Sequence, residues 1–211
     1  DFRSIIEQSS GKVFQVALGG RGDVNKHPQL EEIFKICKDH GIVPNYTTSG
    51  FNLTDKEIEL TKKYCGTVAI SWYRQEQTLD AIQRFLDVGM TTNIHYVLSN
   101  DSIDEAIERL ENKDFPNVAA CTFLLHKPVG LGEERNVIKP NDPRLIRFFE
   151  LIDNGNYHFK IGFDSCSIPG VINYTKNVVE ETFDSCEGAR FSCYITPDMK
   201  MLPCSFDNVD L

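Results

Sequence analysis

The sequence predicts an α/β protein, and three observations predict it. Five stretches read as amphipathic helices delimited at both ends by capping, proline or glycine signals. Six short segments rich in β-branched and aromatic residues alternate with them. Several of those segments are nearly continuous apolar runs, the pattern of strands in a parallel sheet covered by helices.

In chain order, Val13 to Leu18 is the first predicted strand. Pro28 then occupies a first-turn position, and Leu30, Ile33, Phe34 and Cys37 share one face of a helix that Gly41 stops. A second strand spans Val43 to Thr48. Thr54 with Glu57 forms a capping box that opens the next helix, because each side chain satisfies an amide the first turn leaves unpaired. After a strand over Val68 to Tyr73, Thr78 is expected to cap a helix carrying Leu79, Ile82 and Leu86 up to Gly89. Thr91 to Leu98 is the fourth strand. Ser102 with Glu105 reads as a second capping box, ahead of Ile103, Ala106, Ile107 and Leu110. Val118 to Leu125 is the fifth strand, and Asp142-Pro143 opens a helix carrying Leu145, Phe148, Phe149 and Ile152 up to Gly155. His158 to Phe163 completes the set. Beyond Phe163 the alternation ends, placing a boundary near Asp164 between a body, 1–163, and a tail, 164–211.

Composition narrows the function classes. The chain of 211 residues has 22 Lys plus Arg against 31 Asp plus Glu, a formal charge of −9, which argues against a nucleic-acid-binding surface. The longest apolar run, Val118 to Leu125, falls far short of the roughly 20 residues of a membrane helix, so no membrane partner is expected. Seven cysteines are an odd count and lie well below the roughly 8–10% of disulfide scaffolds. This usage predicts a reducing, cytoplasmic setting with thiols or metal ligands.

In parallel α/β folds, ligands bind at the carboxyl ends of the strands. The first such loop, Gly19-Gly20-Arg21-Gly22-Asp23, lets a ligand approach the backbone and supplies a carboxylate for an ammonium group. Arg21-Gly22-Asp23 as an adhesion signal fits poorly with a cytoplasmic chain. Thr47, Thr48 and Ser49, Ser71, Asn93 with His95, and His126 with Lys127 add polar residues at later strands and together form a rim. No nucleophile elbow, Walker loop, HExxH helix or GxGxxG loop is present, which argues against hydrolases, NTPases and dehydrogenases. In the tail, Cys166, Cys186, Cys193 and Cys204 are soft ligands suited to zinc, copper(I) or iron-sulfur, and a tail too small to hold itself by a core would gain from such a site. Cys37, Cys65 and Cys121 read as small core residues.

These motifs resemble radical S-adenosylmethionine enzymes with a C-terminal SPASM or twitch-type cluster domain. Gly19-Gly20-Arg21-Gly22-Asp23 followed by His27-Pro28 and a helix is similar to the family's GGEP-type loop, which binds the cofactor's amino group; Gly19, Gly20 and Asp23 are the positions carried over. Tyr46-Thr47-Thr48-Ser49-Gly50 resembles the TTNG-like strand end, and Ala69-Ile70-Ser71-Trp72 the next one, where a serine lies near the cofactor. Thr48, Ser71, Asn93 and His95 complete the implied S-adenosylmethionine set. Cys186, Met199 and Cys204 match the SPASM opening with Met199 in place of a glycine, and Cys166 and Cys193 are the further implied ligands of one auxiliary iron-sulfur cluster. The CxxxCxxC loop that binds the catalytic four-iron four-sulfur cluster is absent from these 211 residues.

The resemblance implies a partial TIM-type (β/α)6 barrel missing its first βα unit, with five barrel strands beginning at Val13, Val43, Val68, Thr91 and Val118, followed by a small Cys-rich C-terminal domain. It also implies that the chain, which starts at Asp1 rather than Met, is a fragment inactive alone, with Asp1 to Ser10 the remnant of the first helix. The implied reaction is reductive cleavage of S-adenosylmethionine and hydrogen abstraction from a substrate, a peptide or protein first, a small molecule second. The unpaired edge of the first strand is expected to favour self-association. Two rivals stand beside this reading. One is a small-molecule-binding protein with a structural zinc in the tail; the other is an acid-base enzyme using Asp23, His95 and His126.

Overall fold

All six predicted strands form, each within two residues of its expected start. The computed structural model describes residues 1–20, 22–73 and 76–207. The strands are β1 (Gln15–Leu18), β2 (Val43–Thr48), β3 (Val68–Ser71), β4 (Thr92–Leu98), β5 (Ala120–Leu125) and β6 (Lys160–Phe163). They lie in one sheet in sequence order, β1-β2-β3-β4-β5-β6. The sheet thus includes the segment after His158, one strand more than the five expected of the barrel. Parallel registers pair Leu18 with Tyr46, Thr48 with Ile70, and Ser71 with His95.

Two compact units divide the residues. The first comprises 1–96, 115–122 and 158–162; the second comprises 97–114, 123–157 and 163–211.

In the first unit, helices α1 (Phe2–Ser9), α2 (Leu30–Asp39), α3 (Asp55–Tyr64) and α4 (Glu76–Asp87) accompany the strands. Ile6, Ile36, Cys37 and Ile42 are buried together with Phe2 and Val16 against them, fastening α1 onto α2 and β1. Each fully buried isoleucine contributes about 1.5–3 kcal/mol of transfer free energy. Phe34, which has no exposed surface, stacks on Tyr46 at 6.0 Å. The Tyr46 hydroxyl meets Thr61 Oγ1 at 2.5 Å, so its burial leaves no polar atom unpaired. The Thr54–Glu57 capping box is present in both directions.

Two cap expectations are corrected. Thr78 does not cap α4; it lies inside the helix, fully buried, with no hydrogen-bond partner for its hydroxyl. The buried face is Thr78, Ala81, Ile82 and Phe85, while Leu79 points to solvent. Ser102 makes no side-chain cap bond to its helix, α5 (Ile103–Asn112). Its hydroxyl reaches back to Val97 O at 2.7 Å, a local backbone bond that competes with capping.

The second unit packs α5 with α6 (Pro143–Asn154) through Arg144–Asp104 and Arg147–Glu111 ion pairs. Phe123, Phe148, Phe149 and Phe163 form its aromatic core, with ring centroids 4.9 to 6.4 Å apart. A seventh helix, α7 (Ile168–Tyr174), was not anticipated in the tail; Tyr174 stacks on Phe149 at 5.6 Å. The tail ends in an antiparallel hairpin of β7 (Tyr194–Ile195) and β8 (Met201–Leu202). Met199 takes the left-handed conformation there, φ +67.

Candidate functional site

The first unit gathers most of the expected ligand residues. After β1 the chain turns through Gly20 at φ +148 and Gly22 at φ +86, conformations that L side chains rarely adopt. Beside the α carbons of Gly19, Gly20 and Gly22 there is open space, so the loop backbone is approachable. Arg21 lies outside the described residues, and with it the tripeptide Arg21-Gly22-Asp23 as a whole.

Asp23 is fixed rather than free. Its Oδ1 accepts the Ser49 backbone N–H at 2.8 Å and its Oδ2 accepts the Ser49 hydroxyl at 2.5 Å. These charge-assisted bonds lock the loop after β1 to the end of β2. A carboxylate has about four lone-pair sites, so two remain for an ammonium group.

Across the sheet, alternate residues divide between two faces. Tyr46, Thr48, Val68, Ile70, Ile94 and Tyr96 are buried. Thr47, Ser71, Asn93 and His95 are half-buried on the opposite face. The expected set is therefore divided. Ser71 and His95 stand opposite one another in register, whereas Thr48 is 1% exposed and its hydroxyl accepts the Gly50 N–H at 3.1 Å. Thr47, one residue earlier, is the threonine on the His95 face. Its hydroxyl lies 3.2 Å from His95 Nδ1. A period-2 count from Ser71 through the parallel register would have selected it. Burial lowers the pKa of His95, which keeps the imidazole neutral at pH 7.

Asn93 has a different neighbourhood. Its amide donates to Thr67 Oγ1 at 3.0 Å, Asn45 accepts the Thr67 N–H at 3.1 Å, and Asn45 donates to Gln15 at 3.0 Å. Asn93 thus belongs to a polar ladder spanning the amino-terminal ends of four strands. Gln15, Asn45 and Thr67 are members the sequence reading missed, since single polar residues within strands carry no spacing signal.

The second unit holds the remaining candidates. The His126 ring reaches the Glu133 carbonyl at 3.0 Å. Among the described residues the His95 ring meets Thr47 and the His126 ring the Glu133 carbonyl, with no carboxylate hydrogen-bonded to either, so the acid-base rival gains no support. Lys127 donates to Asp164 Oδ2 at 2.5 Å and to Leu125 O at 3.0 Å, and its ammonium sits 4.3 Å above the Phe206 ring. Asp164 also accepts from Ser167 Oγ at 2.5 Å, which closes the turn containing Cys166.

The four tail cysteines are not gathered. Cys166, Cys186 and Cys193 are exposed and Cys204 is half-buried. Among the described residues no three His, Cys, Asp or Glu side chains converge as a metal-binding group. The segments themselves are linked: Ser192 N–H donates to Glu187 O at 3.2 Å between Cys186 and Cys193, the β7–β8 pairing joins the Cys193 and Cys204 segments, and a Cβ built at Gly188 would lie 3.5 Å from Cys186 Sγ and 3.2 Å from Pro203 O. As arranged, these thiols do not fit a four-ligand cluster. Cys37 and Cys65 are pushed up to about 11 and about 12 by burial, and burial raises Cys121 too, as expected of inert core thiols.

No protein-family profile and no curated protein matches this sequence. Solved structures do match. SuiB of Streptococcus suis bound to S-adenosylmethionine aligns with a TM-score of 0.70 at 16% identity, over 97% of this chain and 52% of that one. This chain shares its fold with SuiB. SuiB bound to its precursor peptide SuiA aligns at 0.69, 16% identity, over 96% and 52%. Native anSMEcpe with bound AdoMet and a Kp18Cys peptide aligns at 0.62, 15% identity, over 99% and 66%. The chain spans about half the length of SuiB and about two thirds of anSMEcpe. Among the described residues no helix is long and apolar enough to cross a membrane.

Proposed function

We propose that this chain is the S-adenosylmethionine-binding part of a radical S-adenosylmethionine enzyme that modifies a peptide. The observation that carries the reading is the glycine loop after β1, tied by Asp23 to Ser49, next to a half-buried polar sheet face. The loop backbone is open to a ligand, Asp23 retains acceptor capacity for an ammonium group, and Ser71 and His95 supply uncharged hydrogen-bonding groups. The resemblance of the loop and strand-end motifs supports the same assignment, as does the fold shared with proteins solved with S-adenosylmethionine and with peptides.

When bound, S-adenosylmethionine supplies a sulfonium whose reductive cleavage yields a hydrogen-abstracting radical in the family that these motifs resemble. The part of this chain is to bind and orient it: Gly19 and Gly20 through the backbone, Asp23 at the amino group, Ser71 and His95 along the sheet. The 211 residues contain no CxxxCxxC loop, so ligands for a catalytic cluster would come from outside them. The tail cysteines are not arranged for an auxiliary cluster, and no step is assigned to one. A reducing, cytoplasmic setting suits seven thiols without a disulfide.

Equilibrium dialysis of the full chain against S-adenosylmethionine tests this reading. Saturable one-to-one binding is expected, weakened severalfold by Gly20→Val, which the φ of +148 disfavours. No saturable binding to the unsubstituted chain overturns it.

A further inference from the structure

The sheet face that holds His95 has an unusual charge pattern for a site that binds a cation. Asn45, Thr47, Ala69, Ser71, Asn93 and His95 occupy successive face positions on β2, β3 and β4. None carries a formal charge, and only His95 among them is able to acquire one near neutral pH. Thr47 holds Nδ1, and no other described residue hydrogen-bonds the ring, so Nε2 is left for a ligand.

Among the described residues no carboxylate hydrogen-bonds that ring. Asp23 is tied through both oxygens to Ser49, and its remaining acceptors are assigned above to the ligand's ammonium group. Tyr73, just past β3, is exposed. The neighbouring positions of β5 within the same unit, Ala120 and Thr122, do not titrate. Burial already disfavours the charged imidazole.

We propose that His95 is a charge gate: uncharged it admits the sulfonium of S-adenosylmethionine, and protonated it repels that cation while tolerating the neutral thioether of S-adenosylhomocysteine. The inference rests on the S-adenosylmethionine reading above and adds selectivity to it. The two ligands share their adenosine, ammonium and carboxylate groups and differ in one methyl and one positive charge, so their affinity ratio isolates the sulfonium. Because the His95 pKa lies below the ordinary value near 6.5, the gate is open at pH 7 and above and closes only as pH falls through and below that range. Two unit charges held several ångströms apart in a partly desolvated site change affinity by about tenfold or more.

Dissociation constants for both ligands, measured on the full chain between pH 8 and pH 5, decide the matter. The ratio of the two should stay constant down to about pH 7 and then shift about tenfold against S-adenosylmethionine at lower pH. His95→Gln, which keeps a neutral hydrogen-bonding side chain beside Thr47, should hold the ratio constant throughout. His95→Lys, checked for folding by circular dichroism, should discriminate against S-adenosylmethionine already at pH 8. A pH-independent ratio in the unsubstituted chain, or the same pH dependence in His95→Gln, overturns the gate alone. Failure of both ligands to bind the unsubstituted chain at pH 8 overturns the S-adenosylmethionine reading and the gate with it.

Discussion

Removing the Asp23 carboxylate should unfasten the loop after β1 from the end of β2, at a cost that the two Ser49 bonds set. Hydrogen bonds to a charged group contribute about 1.5–3 kcal/mol each, and Asp23 accepts two, from Ser49 N and Ser49 Oγ. The site is half-buried, so the lower end applies, and Asp23→Ala should cost about 3 kcal/mol. Ser49→Ala deletes only the hydroxyl bond and should cost about 1.5 kcal/mol. In the Asp23→Ala background the hydroxyl has already lost its acceptor, so adding Ser49→Ala should cost almost nothing. The resulting coupling energy is about 1.5 kcal/mol. Urea unfolding followed by far-ultraviolet circular dichroism measures all four proteins; in thermal scans Asp23→Ala should lose about 6–12 °C for a chain of this size. Strictly additive costs would show that Asp23 and Ser49 act independently and would refute the locked-loop reasoning.

Three further outcomes are expected. Met199→Gly should stabilise the β7–β8 hairpin by about 1 kcal/mol, because a non-glycine residue at φ +67 carries a left-handed cost that glycine lacks; slower proteolysis within 190–207 reports it, and faster cleavage would contradict it. Lys127→Met strands Asp164, whose side chain is 18% exposed, and removes the ammonium from Phe206, so the tail should become protease-sensitive and lose about 2 kcal/mol, with Lys127→Arg recovering most of it. In the native chain a thiol reagent at pH 7.5 should modify Cys166, Cys186 and Cys193 fast and Cys204 more slowly, sparing Cys37, Cys65 and Cys121 until denaturant is added; anaerobic reconstitution with iron and sulfide that protects all four tail thiols would show that they close on a metal after all.

Strand and helix positions were legible because their signals are local. Short apolar runs mark β3 and β5, alternation marks β2 and β4, and Asp142-Pro143 and Thr54 with Glu57 cap helices where expected. Caps failed for two different reasons: the Ser102 hydroxyl takes a competing local bond to Val97 O, and α4 begins ahead of Thr78, which its packing buries. The site was legible to the strand but not to the residue. Thr47 and Thr48 are adjacent, and only the register with Ser71 and His95 decides which faces the polar side. Asn45, Thr67 and Gln15 were invisible because their partners lie on other strands, 22 to 30 residues away. In the tail, the left-handed conformation of Met199 was invisible because its residue identity does not signal it.

The only tryptophan in the chain sits one residue past Ser71, donates its backbone N–H to the His95 carbonyl at 2.9 Å, and packs against Tyr96 and Phe115 at 6.5 and 5.8 Å. Trp72 is therefore a built-in optical reporter. Its indole is excited directly or by energy passed from Tyr96, and its emission responds to packing on the Tyr96 face and, through the backbone bond to His95, to the geometry of β3 against β4. A ligand that shifts β3 against β4 is thereby readable in unlabelled protein, by light alone.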